Sequence, residues 1–438
     1  MTTRAPRRCV RRVRMPYSCA VRTAVVLALS AAACNQVFGL DPVAGRDGGP
    51  PLIDAPPPVV DQIVAGGQHT CARIGTQVRC WGAGGDGQLG TGTMDDVPLA
   101  ADAPVVDVGA VADLVAGADH TCGRLTDGTV ACWGAGANGR LGYGNINNVG
   151  DTEAPGTAGV VDLGGGMVAA LAAGAAHTCA AVPGIAMRCW GSASDGRLGN
   201  NSTQDVGDNE RPAMSIAVAG TGGVQEIAAG GAHTCFLDGG GVVRCFGLGA
   251  AGQLGYGNAD SLAAPGGMVM VGATVQRVVA GAAHTCIIQG DSRVRCWGRG
   301  LDGRLGTGTT TDVGVVNTPA NVVPIDLGGG RAQALAAGDR HTCAVLEGGG
   351  VICWGANEHG QLGYGNREPV GGSGPPAAAG LVPLPGPARA IAAGGDHTCA
   401  LLIGGAVVCW GANDRGQLGY GDREDRGDDE PIGGVVPL

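Results

Sequence analysis

Residues 337–363 read Ala-Gly-Asp-Arg-His-Thr-Cys-Ala-Val-Leu-Glu-Gly-Gly-Gly-Val-Ile-Cys-Trp-Gly-Ala-Asn-Glu-His-Gly-Gln-Leu-Gly. The same order recurs through the chain, and His-Thr-Cys occurs seven times, at His69, His120, His177, His233, His284, His341 and His397. The intervals are 51, 57, 56, 51, 57 and 56 residues. They are too long for tetratricopeptide or ankyrin units and long enough for a four-stranded propeller blade with its loops. No repeat carries the apolar spacing of an amphipathic helix, whereas short Val, Ile, Leu and Ala runs broken by Gly, Asp and Asn fit strands and tight turns. The class is all-β. The 85 glycines recur at fixed offsets, as turn and bulge positions do in a folded chain.

The Gly-x-x-His start, the Trp-Gly centre and the Gly-Gln-Leu-Gly end resemble the RCC1 repeat family over roughly residues 59–438. The resemblance implies a seven-bladed β-propeller whose ring is closed by strands from both termini. The tail Val435-Val436-Pro437-Leu438 aligns with Val105-Val106, and it is expected to complete the blade begun near Ile63. The intervals repeat after three, and Asp162-Leu163-Gly164-Gly165-Gly166 matches Asp326-Leu327-Gly328-Gly329-Gly330. This pattern fits a duplicated three-blade cassette or a coincidence of loop lengths.

Residues 1–33 hold seven arginines and no acid, with an apolar run from Ala24 to Ala33 that ends at Cys34. This reads as an export signal, too short for a permanent membrane span. Ala31-Ala32-Ala33-Cys34 resembles a bacterial lipobox, so Cys34 is the expected lipidation site, with ordinary signal-peptidase cleavage as the alternative. The usual leucine three places before the cysteine is missing, and Met15 would leave a more ordinary signal length. Residues 34–58, rich in Pro, Gly and Asp, read as a tether. The expected location is the cell envelope, lipid-anchored in the outer membrane or periplasm, or outside the cell.

The whole chain has net charge −10, with 28 basic against 38 acidic residues. Removing the seven signal arginines leaves 21 basic residues and a net charge of −17. Such an acidic protein repels a phosphate backbone, which argues against nucleic acid as a partner. Outside Cys9, Cys19 and Cys34, the cysteines form one pair per repeat: Cys71/Cys80, Cys122/Cys132, Cys179/Cys189, Cys235/Cys245, Cys286/Cys296, Cys343/Cys353 and Cys399/Cys409. Each pair spans nine or ten residues across a Gly-containing turn, so a hairpin would set the two opposite each other as a disulfide. A His and two Cys per repeat could alternatively supply metal ligands, but seven identical sites would be unusual.

Gly-x-Gly-x-x-Gly occurs at Gly82/Gly84/Gly87 and in three further repeats, but turns rather than helices follow, so a dinucleotide site is not expected. One histidine at the same point of each blade suits a repeated structural hydrogen bond or inter-blade contact better than seven bases. His359 falls outside that register and reads as a solvated turn residue. Trp81, Trp133, Trp190, Trp297, Trp354 and Trp410, with Phe246 in the fourth repeat, follow the second cysteine and are expected to pack on the neighbouring blade. The acidic loops at 150–153 and 427–430 could collect oxygen ligands for calcium but lack EF-hand spacing.

No nucleophile elbow or His-Glu-x-x-His zinc motif occurs. The expectation is a monomeric, non-enzymatic scaffold with no catalytic residues, cofactor or metal, binding a protein or surface ligand through its loops. The resemblance also implies alternatives. Such propellers include secreted bacterial inhibitors of β-lactamase, so an inhibitor of an extracellular enzyme is the specific form of the scaffold reading; a guanine-nucleotide exchange factor-like regulator of a small GTPase and a polysaccharide-acting propeller enzyme are the alternatives.

Overall fold

The computed structural model describes residues 59–438; the export signal, Cys34 and the tether lie outside the described residues. The described chain forms seven antiparallel sheets of three strands each. These are β1 Gln62–Ala65, β2 His69–Ile74 and β3 Gln77–Gly82; β4 Val111–Ala116, β5 His120–Leu125 and β6 Val130–Gly134; β7 Ala170–Ala173, β8 His177–Val182 and β9 Ala186–Gly191; β10 Val224–Ala229, β11 His233–Asp238 and β12 Val243–Gly247; β13 Val275–Ala280, β14 His284–Gln289 and β15 Val294–Gly298; β16 Ala332–Ala337, β17 His341–Leu346 and β18 Val351–Gly355; β19 Ala388–Ala393, β20 His397–Leu402 and β21 Val407–Gly411. Each sheet is one blade.

Where a fourth strand was expected, each blade has an outer segment that makes only isolated bridges to its third strand, such as Gly134↔Val149 and Gly355↔Val370. One backbone hydrogen bond anchors it further along, from Val106 N to Val78 O in the first blade and from Val382 N to Val351 O in the sixth. The tail lies differently from the expectation. Val436 N donates to Val407 O, so the tail flanks β21 and completes its own, seventh blade. Both ends still meet at one seam, because Val60, Ile63, Trp81, Val407 and Val436 share a buried cluster.

Burial follows from the strand sequences. The middle strands β8, β14, β17 and β20 are buried along their whole length. Inner strands are Ala-rich, as in Ala-Gln-Ala-Leu-Ala-Ala of β16, and small side chains let seven strands converge on one axis. The six tryptophans and Phe246 are fully buried. Each meets the Leu-Gly turn of the preceding blade: a Cβ on Gly363, where φ is +79°, would lie 2.8 Å from Trp410 Nε1. This contact agrees with the packing expected of the tryptophans.

A second glycine is required by contact. A Cβ at Gly338 would stand 2.3 Å from His341 Cε1 and 2.4 Å from Gly394 O in the next blade. Gly66, Gly117, Gly174, Gly230, Gly281 and Gly394 are equally confined. These seven glycines form a collar at the neck of the channel. At some seams the following residue donates to the next collar carbonyl, as Ala175 N does to Gly230 O and Gly395 N to Gly66 O. Gly338→Ala is expected to destabilise the fold by at least about 2 kcal/mol, since both obstructing groups belong to the packed ring. Guanidinium unfolding of the two proteins checks this, and a midpoint unchanged from wild type would contradict the collar.

Candidate interaction face

The repeat's polar residues converge at the seams between blades. Each histidine Nε2 lies 2.8–2.9 Å from the threonine Oγ1 of the next blade: His69 on Thr121, His120 on Thr178, His177 on Thr234, His233 on Thr285, His284 on Thr342, His341 on Thr398 and His397 on Thr70. The last contact joins the seventh blade to the first. Every such threonine donates its one hydroxyl proton to the carbonyl of the Gln or Arg in the preceding blade's Gly-Gln/Arg-Leu-Gly turn. Thr70 reaches Gln417 O at 2.8 Å and Thr398 reaches Gln361 O at 2.9 Å. The histidine must therefore be the donor, with its proton on Nε2. Nδ1 has no partner and faces the collar glycine. Trp81, Trp297, Trp354 and Trp410 donate Nε1–H to the same carbonyls.

Burial pushes these imidazoles toward the neutral form. His69, His177, His341 and His397 fall to about 3 and His233 to about 4, while His120 and His284 are driven well below the ordinary value. The seven histidines therefore act as frame. The fourteen paired cysteines are joined within each hairpin as seven disulfides: Cys71–Cys80, Cys122–Cys132, Cys179–Cys189, Cys235–Cys245, Cys286–Cys296, Cys343–Cys353 and Cys399–Cys409, each with a Cα–Cα distance of 4.1 Å. Among the described residues no group of three or more His, Cys, Asp or Glu stands close enough to hold a metal ion.

Several contributors have no counterpart in the sequence reading. Tyr143, Tyr256, Tyr364 and Tyr420 each fold a hydroxyl back onto the second cysteine of their blade, accepting from its N–H and donating to its carbonyl at 2.9–3.1 Å. Burial pushes Tyr143 and Tyr364 up to about 12. This contact is made at four of the seven second cysteines. Cys80, Cys189 and Cys296 keep their disulfides but receive no tyrosine hydroxyl, because Thr91, Asn200 and Thr307 stand eleven residues on, where the other blades have tyrosine. These shorter side chains serve their own loops instead: Thr91 Oγ1 bonds Thr93, Thr307 Oγ1 bonds Thr309, and Asn200 Oδ1 accepts from Ser202 N.

The Gln/Arg alternation also has a geometric meaning. Gln88, Gln253, Gln361 and Gln417 close their own turn by accepting a backbone N–H. Arg140, Arg197 and Arg304 donate Nε–H to a carbonyl of their own turn and, with Nη1, also reach the next blade's carbonyls Ala175 O, Gly231 O and Asp339 O. Two places before each arginine, Asn138, Asp195 and Asp302 take φ near +60°.

Alternating strand direction puts the first-to-second strand loops and the long third-strand connections on one side of the ring. Those connections span 83–104, 135–159, 192–216, 248–267, 299–322, 356–380 and 412–434. They hold 22 acidic residues and nine arginines, while the rest of 59–438 holds 13 acidic residues and 11 arginines. The acidity is thus concentrated on one side, most of all in the last connection. At the channel mouth stand Asp119, Asp339 and Asp396. Burial raises Asp119 and Asp339, and Asp396 raises Asp339 further. Arg340 pairs with both Glu358 and Asp396. Arg415 and Arg423 pair with Asp96 across the seventh-to-first seam at 3.5 and 3.0 Å. His359, expected to be solvated, is only half exposed and bonds Asp425 Oδ2 in the next blade at 2.9 Å.

Seven blades, each with one stapled hairpin and a polar relay to its neighbour, define a β-propeller built from a single repeated module. A profile of the Regulator of chromosome condensation (RCC1) repeat matches residues 111–140, 224–253, 275–304, 333–361 and 388–417, and a second profile of that repeat matches 291–345 and 348–401. The ultraviolet-B receptor UVR8 of Arabidopsis thaliana is 30% identical over 386 residues, covering 85% of this chain and 82% of the receptor. The chain belongs to the RCC1-repeat family. Human E3 ubiquitin-protein ligase HERC2 is 28% identical over 82% of this chain, which spans only 7% of that ligase. Among solved structures, human WBSCR16 aligns with a TM-score of 0.66 at 22% identity, over 82% of this chain and 95% of that one. Yeast RCC1 (Prp20) bound to Kap60 aligns at 0.63 and 18% identity, over 90% and 91%. These two show the shared fold.

The histidines set the pH dependence. Their folded values lie below the unfolded value of about 6.5, so unfolding takes up protons. The stabilisation is complete above pH 6.5 and is lost as pH falls toward 3. At pH 5.5 the loss reaches up to about 1.4 kcal/mol per histidine. Guanidinium midpoints measured from pH 7.5 downward should fall steeply, and His341→Gln should flatten the slope by about one proton. A flat profile between about pH 7 and 5 would rule out neutral buried relays.

Proposed function

We propose that this protein is a non-catalytic scaffold that binds a protein or surface ligand through the acidic connections on one side of its ring. The observation that carries this reading is the internal use of the repeat's chemistry. Its His, Thr and Cys side chains are bonded within or between blades and its Trp side chains are fully buried, leaving the varied connections to make outside contacts. Relatives supply the same class of use. One solved neighbour, Prp20p of Saccharomyces cerevisiae, is described by its binding to Gsp1p and histones.

We place the chain at the cell envelope as a monomer tethered through a lipid on Cys34, because seven structural disulfides call for an oxidising compartment. An inhibitor of an extracellular enzyme is the specific form that fits this location. The outer segments serve as fourth strands, with the two chain ends closing the ring at a shared seam. A guanine-nucleotide exchange-like regulator is the second reading, favoured by the likeness to yeast RCC1, and it requires a cytosolic chain.

Intact-mass analysis of protein made in a lipoprotein-competent bacterial host separates the two. The scaffold reading expects a lipidated Cys34 and fourteen thiols that alkylate only after reduction. An uncleaved N-terminus with free thiols would instead favour the cytosolic regulator.

A further inference from the structure

In each outer segment one residue donates its backbone N–H to the third strand, and in six blades an aliphatic side chain follows two places later. The pairs are Val106 with Val108, Val161 with Leu163, Val269 with Val271, Ile325 with Leu327, Val382 with Leu384 and Val436 with Leu438. Val108, Leu163, Val271 and Leu327 are buried, and Leu384 and Leu438 pack partly buried on the core. The third blade breaks this rule. Val218 N donates to Met187 O as its counterparts do, but two places on stands Gly220, with φ +70° and no heavy atom within 4 Å of where a Cβ would lie. The link itself is not shortened, since Val218 to Val224 matches Val269 to Val275 in length.

A second small residue falls at the same place. In the fourth blade Val271 shares a buried cluster with Leu237, which stands opposite Val243. The counterparts of Leu237 are Arg73, Arg124, Ile288, Val345 and Leu401, whereas the third blade has Ala181, opposite Met187. Met187 replaces a valine and restores part of the lost volume. Ala181 and Gly220 nevertheless line a pocket of about 530 Å³ between the hairpin at 182–186 and the link at 220–224, on the side of the ring away from the acidic connections. None of the residues lining it is charged. Its one polar side chain, Thr221, is already committed: Oγ1 donates to Val218 O at 2.9 Å and accepts from Met187 N at 3.1 Å.

We infer that this pocket binds a small neutral ligand through a branched aliphatic group, the kind of group that Val271 and Leu237 supply to the same place in the fourth blade. Its volume lies within the roughly 300–1,000 Å³ of small-molecule sites. Walls without a charged side chain give an ionised ligand nothing to replace its hydration. The inference does not depend on the acidic connections being the binding face.

The test titrates full-length mature protein, isotope-labelled at its isoleucine δ1 methyls and followed by NMR, with isoamyl acetate and separately with sodium isovalerate. Ile185 lines the pocket, while Ile403 is exposed on the equivalent hairpin of the seventh blade, where Leu438 fills the corresponding place. A saturable shift of Ile185 with the ester, and none at Ile403, is expected. Ala181→Leu, which restores the fourth blade's residue, should weaken ester binding at least about tenfold. Its unfolding midpoint should stand at or above that of wild type, because the added side chain fills space. Ala181→Val should weaken binding to a lesser degree, and it carries the test if the leucine variant does not fold.

No saturable shift at Ile185, or equal shifts at Ile185 and Ile403, would overturn the pocket. Ester binding as tight as wild type in a folded variant at Ala181 would do the same. Isovalerate bound as tightly as the ester would overturn its neutral chemistry. Each of these outcomes leaves the acidic-side scaffold reading untouched.

Discussion

A neutral imidazole buried at each seam must find an acceptor for its one N–H, and the rest of the ring is arranged around that requirement. The acceptor is a threonine hydroxyl of the next blade, whose own proton is committed to a carbonyl of the blade that supplied the histidine. Each seam is therefore stitched in both directions by three groups, none of which can be removed without leaving a buried polar atom unpaired. Because the seventh histidine reaches Thr70, the chain of dependencies has no end. Opening any seam costs the same kind of orphaned group, so the ring does not have a cheap place to come apart.

The remaining features of the module support that stitch. The histidine lies against the collar glycine, which explains why glycine stands at seven equivalent places where a Cβ would strike the ring. The adjacent Thr-Cys keeps the hydroxyl and the disulfide on successive positions of one strand. The staple to the facing strand therefore also holds the threonine in register. A chain with only three phenylalanines and five tyrosines has little aromatic bulk to spread through seven blades. Cross-links closing loops of about ten residues, each worth roughly 2.5–3 kcal/mol in the chain-entropy account, offset that scarcity. The tyrosine hydroxyls folded onto Cys132, Cys245, Cys353 and Cys409 tie the connection back to the stapled strand in four blades. At Cys80, Cys189 and Cys296 the staple stands without that tie, so the disulfide and the seam do not depend on it.

What could be read from the sequence was whatever recurs at fixed spacing within one module. The blade number, the cysteine pairs and the inward tryptophans belong to that category, since each depends on residues a few places apart. The histidine's partner does not, because it lies 52 to 58 residues away, or 327 at the closing seam, and is a threonine that the motif always contains for no evident local reason. The arginine contacts across a seam are not legible locally either, because their partners lie 34 or 35 residues away. The outer segments make only isolated bridges and one or two anchoring backbone bonds to the third strands, and Gly and Pro interrupt them, as at Gly266-Gly267 and Pro383. The tail was misassigned for a related reason: alignment gave its register, but only the fold says which blade's edge is next to it.

A frame this regular has consequences for recognition. Seven equivalent seams would present seven equivalent faces, and a ring with true sevenfold symmetry could not favour one direction for a partner. The asymmetry comes chiefly from the connections, which differ in length and charge, while every seam keeps the same His-Thr-carbonyl relay. The last connection contributes seven acidic residues and three arginines between 412 and 434, against one acid and no arginine between 248 and 267. Beyond a Debye length of about 8 Å such charges are screened, so the acidic side acts only at close approach, and its local excess lies at the sixth-to-seventh seam. Arg367 and Asp428, 61 residues apart in the chain, meet there because two neighbouring modules are locked side by side. The rigid seams thus hold an irregular charge pattern in a fixed geometry, which is what selective contact with a charged surface requires.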